Sequence, residues 1–159
     1  MRVGLAADHQ GFDLKERILI FLRESGFEVI DYGDLSLEPE DDYPDFVVPL
    51  ARAVSRREVD RGIAICGSGV GACIVANKIR KVRAGIIHDI FSSRQGVEDD
   101  DMNMICLGAH LETASRAEAL VQCFLDSRFS EQPRHRRRLE KISNLEKEWG
   151  RSDDPKPSR

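Results

Sequence analysis

The run Cys66-Gly67-Ser68-Gly69-Val70-Gly71 places a thiol and a hydroxyl inside a glycine-rich turn that follows the apolar segment Gly62 to Cys66. Glycines let the backbone close on a ligand, and a helix opened by such a turn presents unpaired N–H groups to an anion. A cysteine beside a helix N-terminus has its thiolate favoured by the dipole and can serve as base or nucleophile. The competing assignment is a small inert residue that ends a buried strand. The spacing excludes two nucleotide sites: G-S-G-V-G lacks the interval of G-x-G-x-x-G, and the run has no P-loop lysine. What remains is an anion hole with a candidate base at its rim.

Other reactive side chains follow apolar runs. Asp8 and His9 follow the first, and His88 and Asp89 follow the fourth. In an open parallel sheet the ligand crevice lies beyond the carboxyl ends of the strands, where these residues would fall. Cations suited to a phosphate stand in Arg134-His135-Arg136-Arg137-Arg138. Arg134 and Arg138 share a helix face and suit a two-pronged grip, while Arg136 and Arg137 point elsewhere. A merely solvated face is the alternative. No aromatic residue is interleaved with these arginines, which argues against a stacking RNA platform. The acidic run Glu98 to Asp101 lacks the spacers of a calcium loop and contains no histidine, so no metal is expected. His88 and His110 have no evident partner in the sequence and read as polar strand-end residues.

Positioning these groups requires a regular alternation of strands and helices. Val3 to Ala7 reads as a strand, and Phe12, Ile18, Leu19 and Leu22 share one face of the helix that follows. Gly26 ends that helix, Phe27 to Ile30 forms a second strand, and Asp31 to Asp45 is polar enough for a long surface loop. A helix from about Pro44 to Arg56 contains Pro49, which predicts a kink or a late start. Strand Gly62 to Cys66, a helix to about Ile79, strand Ala84 to Ile87 and a helical segment after Phe91 come next. Strand Asn103 to Gly108, helix Thr113 to Leu125 and a charged helix from about Arg134 to Trp149 complete the series. This alternation predicts an α/β, three-layer Rossmann-like fold: a five-stranded parallel sheet with helices on both faces.

The 159 residues suit one domain, residues 1–149, with the polar residues 150–159 expected to form a disordered tail. A net charge of -4 with both signs interspersed gives no reason to expect nucleic acid or an anionic membrane as partner. No apolar run reaches signal-peptide or membrane-spanning length, so a cytoplasmic location is expected, where the four cysteines stay reduced. The expected partners are small molecules and further copies of the chain.

Ala7-Asp8-His9-Gln10-Gly11-Phe12, Asp42-Tyr43-Pro44-Asp45, Gly62 to Gly71, Ala76-Asn77-Lys78 and Arg134-His135 together resemble the type B ribose-5-phosphate isomerase family, which also contains the galactose-6-phosphate isomerase subunits. The match spans about residues 1 to 145 in order, spacing and residue type. The resemblance implies an aldose-ketose isomerase that converts ribose 5-phosphate to ribulose 5-phosphate through an enediolate, without metal or organic cofactor. It also implies a homodimer, or a tetramer of such dimers, with each site built between subunits.

Carried over position by position, Cys66 resembles the family's base, which moves a proton from carbon 2 to carbon 1. Ser68 resembles the hydroxyl that shuttles protons between the two oxygens. The N–H groups of Gly67, Gly69, Val70 and Gly71 would hold the enediolate, each such donor contributing about 3 kcal/mol in the transition state. Asp8 would bind sugar hydroxyls, His9, Arg134 and Arg138 the phosphate, and Tyr43 would line the pocket. Two departures stand out. Where the family has His-Asn-Asp, whose histidine opens the furanose ring, this chain has Asp99-Asp100-Asp101, and His110 stands where a phosphate-binding arginine is common. Asp100 and His110 are therefore assigned to substrate binding on position alone. Asp99 could be the acid-base group, its proton affinity raised by crowding with Glu98, Asp100 and Asp101. Alternatively the substrate is another aldose phosphate, a tetrose 4-phosphate, which forms no ring, or a hexose 6-phosphate. A non-catalytic sugar-phosphate-binding subunit is the rival from another class.

Overall fold

Alternation along the strands decides which helices each face of the sheet receives. The computed structural model describes residues 1–148, so the expected disordered tail and Trp149 lie outside the described residues. Five strands, β1 (Arg2–Ala7), β2 (Glu28–Asp31), β3 (Arg61–Cys66), β4 (Ala84–Ile86) and β5 (Met104–Gly108), form one sheet in the order β2-β1-β3-β5-β4. Every pair is parallel, with Leu5 opposite Ile63 and Ile63 opposite Ile105.

Successive strand side chains point to opposite faces. Val3, Leu5, Ala7, Ile63, Ile65, Ile105 and Leu107 therefore meet α1 (Phe12–Glu24) and α5 (Ala114–Asp126) on one side. Ala6, Ala64, Cys66, Met104 and Cys106 meet α2 (Tyr43–Ser55) and α3 (Val70–Ala76) on the other. Helix α4 (Ile90–Asp100) packs beside α5, and α6 (Pro133–Glu148) against α4. The three layers are those expected. Among the described residues no helix is long and apolar enough to cross a membrane.

The chain leaves β1 for β2 on one side and then returns to place β3 on the other, so the strand order reverses at β1. A doubly wound sheet opens its crevice at this reversal, beyond the carboxyl ends of the two strands. Those ends are Ala7 and Cys66.

Two local expectations need correction. Helix α2 begins at Tyr43, ahead of Pro49, so there is no late start. Pro49 lies on the exposed side, where water can satisfy the carbonyl that its missing N–H leaves unbonded. The segment after β2 is also not wholly a surface loop. Gly33 and Asp34 are buried, with the Ala7 N–H donating to Gly33 O and the Asp34 N–H to Ala7 O, both at 2.7 Å. Their polar neighbours in sequence conceal a clamp: the fully buried Lys15 donates to Asp31 Oδ2 at 2.7 Å and to Asp34 O at 2.6 Å.

Removing the cation would strand the Asp31 carboxylate in a poorly solvated place. Lys15→Ala is expected to lower unfolding free energy by about 3–5 kcal/mol, measured by urea denaturation. A loss below about 1 kcal/mol, the range of an exposed pair, would show that water replaces the ammonium.

Candidate active site

Each strand end at the reversal delivers a functional group to one edge of the sheet. Asp8, immediately after β1, is buried, and its Oδ1 accepts the Gly11 N–H at 3.0 Å. Burial pushes its carboxyl above the ordinary value, against the pull of that hydrogen bond. His9 is half-buried, and both its backbone N–H, at 3.0 Å, and its Nδ1, at 2.6 Å, contact Asp41 Oδ1. That bond raises the imidazole above its ordinary value.

At the end of β3, Cys66 is 4% exposed and its Sγ accepts the Gly69 N–H at 3.2 Å. Ser68 is exposed, and its Oγ accepts the Val70 N–H at 3.3 Å. Gly69 has φ +81, a left-handed conformation that a side chain resists, and a Cβ there would stand 3.1 Å from the Leu107 carbonyl carbon. The turn that aims its N–H at Cys66 thus requires glycine. A Cβ on Gly71 would stand 2.7 Å from the Tyr43 ring, so Tyr43 lies directly on the loop. After β5, the His110 N–H donates to Gly67 O at 3.1 Å, and His110 Nε2 lies 3.2 Å from Gln10 Oε1. Asp8, His9, Tyr43, Cys66 to Gly71 and His110 therefore gather around one crevice.

The remaining predicted residues do not join them within the chain. Asp99 stands in the last turn of α4, at the amino edge of the sheet, with Oδ2 accepting from Gln95 Nε2 at 2.9 Å. Its Oδ1 lies 3.5 Å from Nδ1 of His135, a residue only 1% exposed. His135 Nδ1 is also 2.7 Å from Ser130 Oγ, and its Nε2 accepts from Arg134 Nε at 2.9 Å. Arg138 is exposed on the same helix. Asp101 turns away to pair with Arg83 at 2.7 Å, and Arg83 Nε also reaches the Asp100 carbonyl at 3.1 Å. The Asp99 and Asp101 side chains thus turn to separate partners. An apolar cavity of about 440 Å³ at this edge, lined by Val82, Met102, Ile142 and Leu145 among others, includes Asp100 and no residue of the glycine loop. Gly62 pairs with Met104 at the amino edge and Cys66 with Gly108 at the carboxyl edge. Four residues of strand, about 13 Å, separate the two groups.

The model of the ribose/galactose isomerase family matches residues 3–142. The chain belongs to this family. Ribose-5-phosphate isomerase B of Escherichia coli strain K12 is 37% identical over 145 residues, 91% of this chain and 96% of that protein. The solved structure of the Clostridium thermocellum ribose-5-phosphate isomerase B superposes with a TM-score of 0.90 at 39% identity, covering 94% of this chain and 99% of that one. The Mycoplasma genitalium enzyme, crystallised with bound ribulose-5-phosphate, superposes with a TM-score of 0.88 at 36% identity over 92% and 97% of the two chains.

Beside the family's motif residues, the fold recruits groups that the strand-end argument passed over. Asp41 sits in a polar loop with no periodicity to mark it, and only the folded path of that loop brings it to His9. His88 and His110 do have partners: His88 Nδ1 is 3.3 Å from Glu112 Oε1, and His110 meets Gln10. Cys73 is not simply a small hydrophobe. A hydrogen bond from the Cys106 thiol pulls it down to about 7, while Cys106 itself is pushed well above its ordinary value. Cys73 lies 3.5 Å from Ala84 O and from Asn77 Nδ2, between α3 and β4. The acidic thiol here reports the pairing of half-buried Cys73 with buried Cys106, and geometry keeps Cys66 as the candidate base.

Gly69→Ala should cost about 1–2 kcal/mol, because the methyl group opposes the left-handed backbone. It should also weaken reaction of Cys66 with its substrate by displacing the N–H held against the sulfur. Chemical denaturation and kcat/KM check the two effects. An unchanged unfolding midpoint would mean that the turn re-forms without a left-handed residue.

Proposed function

We propose that this chain interconverts ribose 5-phosphate and ribulose 5-phosphate as an aldose-ketose isomerase working through an enediolate. The observation that carries the reading is Cys66, held by the Gly69 N–H at the mouth of the glycine loop and at the reversal point of the sheet. A family member crystallised with ribulose-5-phosphate supports the choice of sugar. The expected cytoplasmic location, where free thiols persist, agrees with a thiol base.

In this mechanism Cys66 takes the proton from carbon 2 of the open-chain sugar and returns it to carbon 1. Ser68, exposed beside it, relays the proton between the oxygens on carbons 1 and 2. The Gly69 and Val70 N–H groups serve Cys66 and Ser68, and binding the enediolate exchanges these internal bonds for bonds to the anion, with Gly67 and Gly71 completing the cradle. Asp8 fixes sugar hydroxyls, Tyr43 lines the pocket, and His9 with His110 forms the near end of the phosphate grip.

The separation of the two edges supports the second half of the reading. Asp99, Asp100, Arg134 and Arg138 would serve the crevice of a second subunit, so that a homodimer, alone or paired into a tetramer, completes each site. Asp99, hydrogen-bonded to Gln95 and facing His135, would open the furanose ring as acid and base. Its carboxylate in place of the family's histidine also favours one second reading, a tetrose 4-phosphate that has no ring to open.

A panel of ribose 5-phosphate, allose 6-phosphate, galactose 6-phosphate and erythrose 4-phosphate decides among these. Ribose 5-phosphate should turn over, and Cys66→Ala should reduce kcat at least about 100-fold. Asp99→Asn should slow ribose 5-phosphate while leaving any turnover of erythrose 4-phosphate intact. Turnover of erythrose 4-phosphate alone establishes the second reading, and silence across the panel with retained binding marks a non-catalytic subunit. A mixed population tests the shared site directly. Cys66→Ala and Arg134→Ala chains, each inactive alone, should regain roughly a quarter of wild-type activity on random pairing, since half the dimers then hold one intact site. No recovery in verified mixed dimers would place Arg134 and Cys66 in the same chain's site.

A further inference from the structure

We propose that Asp41 is a positioning residue of the phosphate site, whose buried carboxylate holds the His9 ring by Nδ1 and makes Nε2 a donor toward the substrate phosphate. The proposal rests on His9 being a phosphate ligand, as read above.

A single oxygen, Asp41 Oδ1, accepts the His9 backbone N–H at 3.0 Å and meets Nδ1 at 2.6 Å, across 32 positions of sequence. The Asp41 side chain is 9% exposed, and its Oδ2 is buried without a hydrogen-bond partner among the described residues. A carboxylate so withdrawn from water needs a cation beside it. The short Nδ1 contact fits a charge-assisted bond between imidazolium and carboxylate.

The consequence for a phosphate follows from the donor inventory of imidazole. A neutral ring carries one N–H. If Nδ1 holds it for Asp41, Nε2 presents a lone pair, which a phosphate oxygen repels. Only the doubly protonated ring satisfies Asp41 and donates from Nε2 together. The charged groups that face His9 are Asp41 and Asp8, both acidic, and the hydrogen bond from Asp41 is the chief reason the ring is held above its ordinary value. A raised value gives a definite sign. The stabilising pair is whole below the ordinary imidazole range and is lost as pH rises through the raised value. Anion affinity should fall over that same interval.

The loop that carries Asp41 is held in place at both ends. Lys15 and the Ala7 backbone hold Gly33 and Asp34, the Asp41 N–H donates to Glu38 O at 3.1 Å, and α2 starts two residues later. The aspartate thus arrives as part of a fixed path, which makes it suited to set the geometry of another side chain.

The test uses the full chain and inorganic sulfate, a dianion throughout the range, so that any pH dependence belongs to the protein. Proton NMR follows the four imidazoles, with His9→Gln identifying the His9 signal. In the wild type, His9 should titrate above 6.5 and sulfate affinity should decline through the same midpoint. In Asp41→Asn the midpoint should drop to the ordinary value or below, and sulfate should bind about tenfold more weakly above it. With ribose 5-phosphate the loss should fall on KM, leaving kcat within about threefold, since no proton transfer passes through His9. A wild-type midpoint at or below 6.5 overturns the proposal, as does a variant that folds and binds sulfate as before. If Asp41→Asn does not fold, the wild-type midpoint and its agreement with the sulfate profile decide the matter. Titration and sulfate binding need no turnover, so they stand apart from any failure of the isomerase reading.

Discussion

The parallel pairing of β1 with β3 is the constraint on which the rest depends. Ala7 lies opposite Ile65, so the chain leaves the sheet at adjacent points with Asp8 and His9 on one strand end and Cys66 on the other. A slip of one residue would turn Cys66 from the α2 face to the α1 face and carry its sulfur away from Gly69. The register is secured from both faces. Large residues such as Leu5, Ile63 and Ile105 fill one side, while glycine and alanine on the other admit α2 closely, with Gly62 near Val54.

The charges follow a division imposed by the same sheet. The carboxyl edge carries Asp8 and Asp41 beside the His9 imidazole, and among the described residues offers a dianion His9, His110 and the loop N–H groups. The guanidinium groups of Arg134 and Arg138 stand a strand's length away, at the amino edge. A phosphate site assembled from both edges, as proposed, would draw on both groups: Asp41 raises the proton affinity of the His9 imidazole, and the arginines would serve a neighbour. Arg134 is oriented by His135, which is buried between Asp99 and Ser130. The group proposed to open the ring and a group proposed to hold the phosphate are thereby mechanically joined.

The thiols show why perturbed acidity and catalytic position are separate questions. Cys73 is the thiol drawn down to about 7, yet the cause is a neighbouring sulfur beneath α3. Cys66 has the glycine turn, the exposed hydroxyl of Ser68 and the crevice. A base in this reaction must reach carbon 2 of a bound sugar, and position at the strand-end crevice selects the candidate ahead of intrinsic acidity.

Much of this was legible in the chain alone. The two-residue period of the strands, the amphipathic helices and the breaks at glycine are local, so the order of elements, the parallel sheet and the strand-end position of Asp8, Cys66 and Ser68 could be read from neighbours in sequence. So could the departure at Asp99. What the linear pattern cannot carry is the meeting of residues far apart in it. Asp41 with His9, Lys15 with Asp31 and Asp34, and Asp99 with His135 are pairings between polar residues that have no period and no motif. Each exists because burial in the folded chain leaves a charged group no partner except the one that the backbone path brings within reach. The tertiary structure alone also decided that the arginines lie at the opposite edge from the thiol, because that depends on which end of the sheet the last helix crosses.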